Sequence, residues 1–324
     1  MLVPVVLFIV GLVLLIKGGD WFVDGAVGIA HRYHIPEILI GATVVSIGTT
    51  IPEVLVSSIA AGLGQSQTAY GNAIGSVICN TALIAAITIA VKPADTVDTG
   101  TFRVPVFFFF TAAVFYSVIA YTTGQFTRVV GSILLSVFVV YMILTIRKAV
   151  GGRLVLDEED DGEKAKENPL GRDILLLILG AAVIAVGADL LVKNGKIIAE
   201  GLGVPESVIA LTFVALGTSL PELVTAITSL AKGHGSLSLG NIVGANLFNL
   251  VLVSGLAVTI RPFGIPTEKT IAGHNASLLV DLPVMFAVMI LMTLPALLKK
   301  RLYRWQGIML LCIYAAYVSF QFFF

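Results

Sequence analysis

The sequence predicts an all-α polytopic membrane protein with ten transmembrane helices, arranged as two inverted five-helix repeats. Of its 324 residues, 57% are hydrophobic and only 12% are charged, a balance that soluble domains do not show. Ten apolar stretches are each long enough to cross a hydrocarbon layer of about 30 Å. In addition, a series of motifs recurs at a constant offset of 169 residues (53 to 222, 80 to 249).

The predicted spans form two sets of five on either side of the longest polar segment. We place them at 2–29, 35–62, 68–90, 104–122, 127–147, 173–196, 204–231, 236–260, 275–297 and 302–324. The predicted units are therefore an N-terminal repeat at 1–147, an acidic linker at 148–172 and a C-terminal repeat at 173–324. Because the chain is apolar from Leu2 onward, with no basic segment before it, we expect the first span to be retained.

The acidic linker resembles the start of an EF-hand calcium loop only in part. Asp157, Glu159, Asp161 and Gly162 fit the beginning of such a loop, but Asn168 stands where the loop needs a glutamate. We therefore predict a solvated linker without a calcium site.

The basic residues predict the orientation of the chain. If both termini lie outside, 14 basic residues fall in the inner connections and only 5 in the outer ones. Cytoplasmic loops carry an excess of Lys and Arg. We therefore predict a multi-pass protein of the cell's inner (plasma) membrane, with both termini outside and the linker in the cytoplasm.

Two motifs occur once in each repeat. GTTIPE at 48–53 corresponds to GTSLPE at 217–222, and GNAIGSVICN at 71–80 corresponds to GNIVGANLFN at 240–249. Equivalent spans are five apart, an odd number, so they must cross the membrane in opposite directions. Inverted repeats of this kind are typical of secondary transporters, whose sites lie near the membrane midplane at broken helices.

Glu53 and Glu222 are the most informative residues of these motifs. A charged side chain at the centre of a membrane costs about 2.5–3.5 kcal/mol on insertion scales. Each glutamate follows a proline, Pro52 or Pro221, which we expect to break the helix and leave one carbonyl without its donor. A cost incurred twice at equivalent positions indicates a shared function. Other charges have simpler interpretations: Asp20 and Asp24 are predicted to pair with Lys17.

The polar side chains around the two glutamates offer oxygen as their only ligand atom for a metal ion. They are Thr49, Thr50, Thr218, Ser219, Asn80, Asn249 and Ser76. Oxygen ligands without His or Cys select Na⁺, Ca²⁺ or Mg²⁺ over transition metals. The charge of two carboxylates matches one Ca²⁺ or two Na⁺, so these ions would compete for one site.

These motifs resemble the two α-repeats of the cation/Ca²⁺ exchanger superfamily, and most of all its prokaryotic Na⁺/Ca²⁺ exchangers. The resemblance covers nearly the whole chain. It implies antiport of Na⁺ and Ca²⁺ by alternating access, with Ca²⁺ extruded, no cofactor, the lipid bilayer as environment and no obligatory protein partner. The zero net charge gives no reason to expect a nucleic-acid partner.

The resemblance also implies a set of ion ligands on the second, third, seventh and eighth spans. Glu53 and Glu222 would be the central carboxylates, and Ser76 would belong to a flanking sodium site. The backbone carbonyls of Ser46 and Ala215 would be outer ligands. The remaining ligands would be Thr49, Thr50, Thr218, Ser219, Asn80 and Asn249.

Two positions depart from the pattern of the superfamily. Asn249 stands where many relatives carry an acid, which argues against dependence on K⁺. The serine at position 76 is replaced by Ala245 in the second repeat. This replacement puts one sodium site, and with it a three-to-one stoichiometry, in question.

Other functions stay open at this point. A proton-coupled Ca²⁺ or cation antiporter is the nearest alternative, a K⁺-dependent Na⁺/Ca²⁺ exchanger is a weaker one, and a passive channel would need no counter-ion. The sequence contains no Ser–Lys or paired-Asp protease arrangement and no His-based metal motif, so we do not expect an enzyme.

Overall fold

The computed structural model describes residues 2–94, 96–156, 169–202, 217–267, 270–271 and 273–323. Two compact units divide the chain: Met1–Thr49 with Thr145–Asn241, and Thr50–Leu144 with Ile242–Phe324. We call them unit 1 and unit 2. Residues 157–168 of the acidic linker, which include its EF-hand-like residues, lie outside the described residues. The domain boundaries predicted from the repeat rest on sequence and stay a prediction.

Helices account for most of the described residues. They are α1 (Leu2–Arg32), α2 (Glu37–Gly62), α3 (Ser66–Val91), α4 (Thr99–Thr122), α5 (Arg128–Leu156), α6 (Leu170–Gly201), α7 (Leu220–Ala231), α8 (Gly235–Ile260), α9 (Ser277–Lys299) and α10 (Arg304–Phe323). Four two-residue strands pair antiparallel in loops, β1 (Gln125–Phe126) with β2 (Phe263–Gly264) and β3 (Thr270–Ile271) with β4 (His274–Asn275).

The helices confirm a polytopic helical membrane protein. Within the described ranges, 8 helices are long and apolar enough to cross a membrane. The other two predicted spans fall on α7, a shorter apolar helix of 12 residues, and on α10, which is not among the eight. The predicted seventh span began at residue 204, and 203–216 are not described.

In unit 1, α1 and α6 pack against each other backbone to backbone. A Cβ added at Gly11 would lie 2.8 Å from the carbonyl oxygen of Gly187, and one added at Gly18 would lie 3.0 Å from that of Gly180. Residue numbers rise along one helix and fall along the other, so the pair is antiparallel. Under the 169-residue offset, Gly11 corresponds to Gly180 and Gly18 to Gly187. The contact of Gly11 with Gly187 is therefore equivalent to the contact of Gly18 with Gly180, as in a self-complementary two-fold interface.

The first turns of α2 also cross α8 within unit 1 at glycines. A Cβ at Gly240 would collide with the carbonyl group of Ile38, and one at Gly41 would collide with the carbonyl oxygen of Leu237. Small residues let helix backbones approach this closely in membranes. The crossing places Asn241, the next residue of α8, beside α2.

The core of unit 2 is built from aromatic side chains. Tyr116 stacks on Phe126 with ring centroids 4.4 Å apart, and Phe248 packs edge-on against Phe138 and Tyr141. The buried rings of Tyr141 and Phe248, with the partly buried Phe138, pack α8 against α5. Aromatic pairs in such arrangements add to the stabilisation from burial.

Single π-helical turns interrupt the helices that carry the motifs. They span Gly41–Val45 in α2, Asn80–Ala85 in α3 and Asn249–Val253 in α8. The expectation that Pro52 breaks its helix is wrong, because α2 continues through it. The irregular turn lies upstream, at Gly41–Val45. Pro221 instead stands in the first turn of α7, where a missing N–H costs nothing.

Candidate functional site

Both predicted carboxylates are fully buried. Glu53 lies in α2 and Glu222 in the first turn of α7, and each side chain is 0% exposed. Neither points to lipid or water in this structure. A buried carboxylate is stable only if nearby groups or a cation compensate its lost hydration.

Glu222 belongs to a polar cluster in unit 1 that combines residues of both repeats. Thr49 lies near the Glu222 carboxyl group. The Thr49 hydroxyl, however, lies 3.2 Å from Oδ1 of Asn241 and 3.4 Å from the Ser46 carbonyl oxygen. Neither Glu222 oxygen accepts a hydrogen bond of normal geometry within the described ranges. The carboxylate thus retains free lone pairs directed into a buried cluster.

Asn241 holds two predicted ligand residues in this cluster. The Ser46 hydroxyl lies 2.7 Å from the carbonyl oxygen of Gly41, 3.0 Å from the backbone oxygen of Asn241 and 3.3 Å from its Oδ1. Because a hydroxyl has one proton, these acceptors share it. Ser46 therefore bridges the π turn of α2 and the start of α8.

Glu53 is positioned in unit 2 by the equivalent asparagine of the first repeat. Nδ2 of Asn72 donates to the Glu53 carbonyl oxygen at 3.2 Å and to the Ser57 hydroxyl at 2.9 Å. The Ser57 hydroxyl in turn lies 3.4 Å from the Ala69 carbonyl oxygen. These bonds join α3 to α2 one turn from the buried carboxylate. Sequence reasoning gave Asn72 and Asn241 no role, although both stand second in the duplicated GN motif.

Asn80 and Asn249 each stand at the first residue of a π turn. Both side chains are 0% exposed, and within the described ranges none of their amide atoms has a hydrogen-bond partner. Ser254 donates to the backbone oxygen of Asn249 at 3.1 Å. π turns occur frequently at functional sites because they change which backbone groups are bonded. Two unsatisfied amides at equivalent positions fit ligands of an ion better than structural links.

The other predicted ligands are also mostly buried. Thr50 and Ser219 are buried, and their hydroxyls have no partner among the residues described. Ser76 is 4% exposed, whereas Thr218 is partly exposed. Ala215 lies outside the described residues. The described ranges hold no group of three or more His, Cys, Asp or Glu side chains arranged for a metal.

The arrangement is suited to dehydrated hard cations. Unsatisfied buried oxygens are costly in an apolar interior, by about 1–3 kcal/mol for a neutral group and more for a charged one. Carboxylate, hydroxyl and amide oxygens are the ligands that Na⁺ and Ca²⁺ accept. In each unit, these polar groups could therefore compensate their own burial by holding such an ion.

The fold and the site together define a polytopic helical membrane protein with buried oxygen ligands for hard cations. The sodium/calcium exchanger protein family model matches residues 3–147 and 173–323. The chain belongs to this family, whose members exchange ions and are not enzymes. The matched segments leave out only the linker region and the chain ends.

Individual relatives are similar over nearly the whole chain. A membrane protein from Methanocaldococcus jannaschii without an assigned function is 33% identical over 95% of this chain and 94% of its own. Sodium/calcium exchanger MaX1 of Methanosarcina acetivorans is 32% identical over 98% of both chains. A solved structure of the sodium-calcium exchanger NCX_Mj, soaked with Na⁺ and Sr²⁺, superposes with a TM-score of 0.81 at 29% identity, covering 98% of each chain.

Proposed function

We propose that this chain is a Na⁺/Ca²⁺ antiporter that extrudes Ca²⁺ in exchange for Na⁺ by alternating access. Its membership of the sodium/calcium exchanger family supports the substrates. The observation that carries the proposal is the pair of fully buried glutamates, Glu53 and Glu222, at equivalent motif positions. Bound Ca²⁺ or Na⁺ would neutralise them, and the neutralised site could then be exposed to either side.

Each predicted ligand residue has a distinct role in this proposal. Glu53 and Glu222 supply the charge that favours a divalent ion or two monovalent ones. Ser46 and Ala215 contribute backbone carbonyls, and Ser76 contributes to a flanking sodium site. The hydroxyl and amide ligands that complete the set are Thr49, Thr50, Thr218, Ser219, Asn80 and Asn249.

We also propose ten spans in two inverted repeats, with both termini outside the inner membrane. The antiparallel, self-complementary contact of α1 with α6 supports the inversion, because equivalent helices then cross in opposite directions. The bias of basic residues toward the inner loops supports the orientation.

Flux in reconstituted vesicles tests the exchange. Vesicles loaded with Na⁺ are expected to take up radioactive Ca²⁺ from a Na⁺-free medium, and Glu53→Gln or Glu222→Gln is expected to abolish this uptake. Glu200→Gln, at a side chain that is 48% exposed, serves as the control and should keep full uptake. Uptake that survives either site variant would contradict the ligand assignment.

The coupling ion is tested by varying one gradient at a time. A Na⁺ gradient alone should drive Ca²⁺ uptake, whereas a K⁺ or H⁺ gradient alone should not. Uptake driven by a pH jump without Na⁺ would establish the proton-coupled alternative instead. Uptake without any counter-ion would indicate a passive channel.

A further inference from the structure

A second polar feature of unit 1 begins at Glu222 and runs along α7. Thr225 and Ser229 follow Glu222 at spacings of three and seven residues, so the three side chains share one face of the helix. The face extends about 10 Å from Glu222 toward the end of α7. All three residues are 0% exposed, so this face is covered by protein and not by lipid.

The two hydroxyls on this face lack the partner that such groups ordinarily find in a helix. Many other helical hydroxyls donate to the carbonyl four residues earlier, as Thr43 does to Leu39 at 2.6 Å and Thr293 to Met289 at 2.7 Å. Within the described ranges, Thr225 and Ser229 donate to nothing. An unsatisfied hydroxyl in an apolar interior is costly, which indicates that these two serve another ligand.

The polar face differs from the side of α7 that packs against Gly19 of α1. A Cβ added at Gly19 of α1 would lie 2.7 Å from Val224 and 2.8 Å from the Thr228 hydroxyl. Val224 and Thr228 are therefore the residues that α1 covers. Neither Thr225 nor Ser229 belongs to this contact.

The first repeat carries no hydroxyls at the positions equivalent to Thr225 and Ser229. Its Ser57, four residues after Glu53, is bonded by Asn72. The 169-residue offset places Val56 at the position of Thr225 and Ala60 at that of Ser229. The hydroxyls are therefore not part of the duplicated packing pattern. They occur only on the helix that runs from Glu222 to the membrane face we predict to be cytoplasmic.

We propose that the face of α7 carrying Glu222, Thr225 and Ser229 is the route by which Na⁺ and Ca²⁺ pass between Glu222 and the cytoplasmic side. The hydroxyl oxygens replace part of the hydration shell of a cation on its way to the carboxylate. This inference rests on the proposed function and adds the residues of one access route, which differs from its counterpart in the first repeat.

Cysteine accessibility tests the route. Cys79→Ala and Cys312→Ser give a background without thiols, which must first retain Na⁺-driven Ca²⁺ uptake. Thr225→Cys and Ser229→Cys in this background should react with an impermeant cationic methanethiosulfonate from the membrane face at which α7 ends. The matched controls Val56→Cys and Ala60→Cys, labelled from the opposite face, at which α2 ends, should react at least about tenfold more slowly, since an acidic cleft concentrates cations by that factor or more.

Protection by transported ions distinguishes a route from mere exposure. Ca²⁺ or Na⁺ should slow the labelling of both α7 cysteines, whereas choline should not. Equal labelling of the four cysteines, labelling from the other face alone, or no protection by cations would overturn the proposal. If vesicles that carry the unsubstituted protein fail to exchange Na⁺ for Ca²⁺, the proposed function fails, while ion-protected labelling would still support the route.

Flux provides the second measurement. Thr225→Val and Ser229→Ala should each slow Na⁺-driven Ca²⁺ uptake about tenfold, the rate equivalent of one lost net hydrogen bond. Val56→Thr, the reverse change in the first repeat, should not increase uptake. Unchanged rates in both α7 variants would contradict a role for the hydroxyls.

Discussion

At the scale of single residues, the two repeats differ most clearly at one ligand position. Ser76 of α3 is replaced by Ala245 in α8, where the side chain is completely buried. A methyl group cannot ligate an ion, so the second flanking position lacks one oxygen. The proposed set of sodium ligands is therefore asymmetric, although the helices that carry it are duplicated.

Restoring the missing hydroxyl tests this asymmetry. Ala245→Ser adds a single oxygen at a buried position and should lower the Na⁺ concentration that gives half-maximal Ca²⁺ release from vesicles, because one more ligand becomes available to Na⁺. Ala257→Ser, a buried alanine of the same helix outside the motif, should leave this concentration unchanged. An identical Na⁺ dependence in both variants would contradict the proposed flanking site.

The sequence was sufficient to predict the two buried carboxylates, but not the asparagines that bond the helices around them. Glu53 and Glu222 stand out because a buried charge in a membrane is costly and because it is duplicated. Asn72 and Asn241 did not stand out, because an intramembrane asparagine ordinarily makes helix contacts. Their roles depend on which helix each one faces. Asn72 bonds α2 within its own repeat, whereas Asn241 bonds α2 of the other repeat.

At the scale of helices, the crossing of α2 and α8 depends on the absence of a side chain. Gly240→Ala would push a methyl group into the Ile38 carbonyl, and overpacking of this kind costs about 1–3 kcal/mol. The variant should melt at a lower temperature in detergent than the parent protein. Gly71, the equivalent glycine, has no heavy atom within 4 Å of an added Cβ. Gly71→Ala should therefore melt like the parent, and equal melting of both variants would contradict the crossing.

An ion-pair cluster joins α1 to the turn between α7 and α8. Nζ of Lys232 lies 2.7 Å from Asp24 and 3.5 Å from Asp20. The expectation that these acids pair with Lys17 is therefore wrong, since a lysine distant in sequence pairs with them. In the second repeat the equivalent acid, Asp189, pairs with Lys193 of its own helix at 2.9 Å. The acids of the first repeat thus link α1 to another element, whereas Asp189 in the second repeat pairs within its own helix.

This cluster should restrain the movement of α1. Lys232→Ala removes the link and should change the rate of Ca²⁺ exchange, while the Ca²⁺ concentration for half-maximal uptake stays the same, because no ion ligand is touched. Lys193→Ala breaks only an exposed pair within one helix, and such pairs contribute about 0.3–0.5 kcal/mol, so its rate should not change. Equal rates in all three proteins would show that the cluster does not restrain α1.

At the scale of the whole molecule, the sequence predicted helices and repeats better than their local irregularities. Hydropathy located most of the described helix ends within about five residues, since membrane thickness fixes the length of a span, but α5 continues to Leu156, well beyond its predicted end at 147. The π turns at Asn80 and Asn249 could not be predicted, because they leave no mark in hydropathy or residue type. Likewise, Pro52 predicted a break that α2 does not have, since the helix tolerates one missing hydrogen bond in this environment.

Labelling of introduced cysteines measures the predicted orientation directly. Cysteines introduced at Val3 and at Gln321, in the background without thiols, should react with an impermeant reagent added to intact cells. A cysteine introduced at Lys166 in the linker should react only after the cells are opened. The excess of basic residues in the inner loops is the physical reason for this arrangement. Labelling of the linker cysteine in intact cells would contradict the predicted topology.

The glycine contacts between α1 and α6 have a consequence for leakage. Where main chains touch directly, neither helix can shift far without carrying the other along. Because α1 and α6 run in opposite directions through the bilayer, equivalent ends of the two helices lie at opposite membrane surfaces. A displacement of the pair therefore acts at both surfaces together. If the proposed alternating access moves this pair, opening at one surface would be mechanically tied to sealing at the other, and a continuous pore would not form.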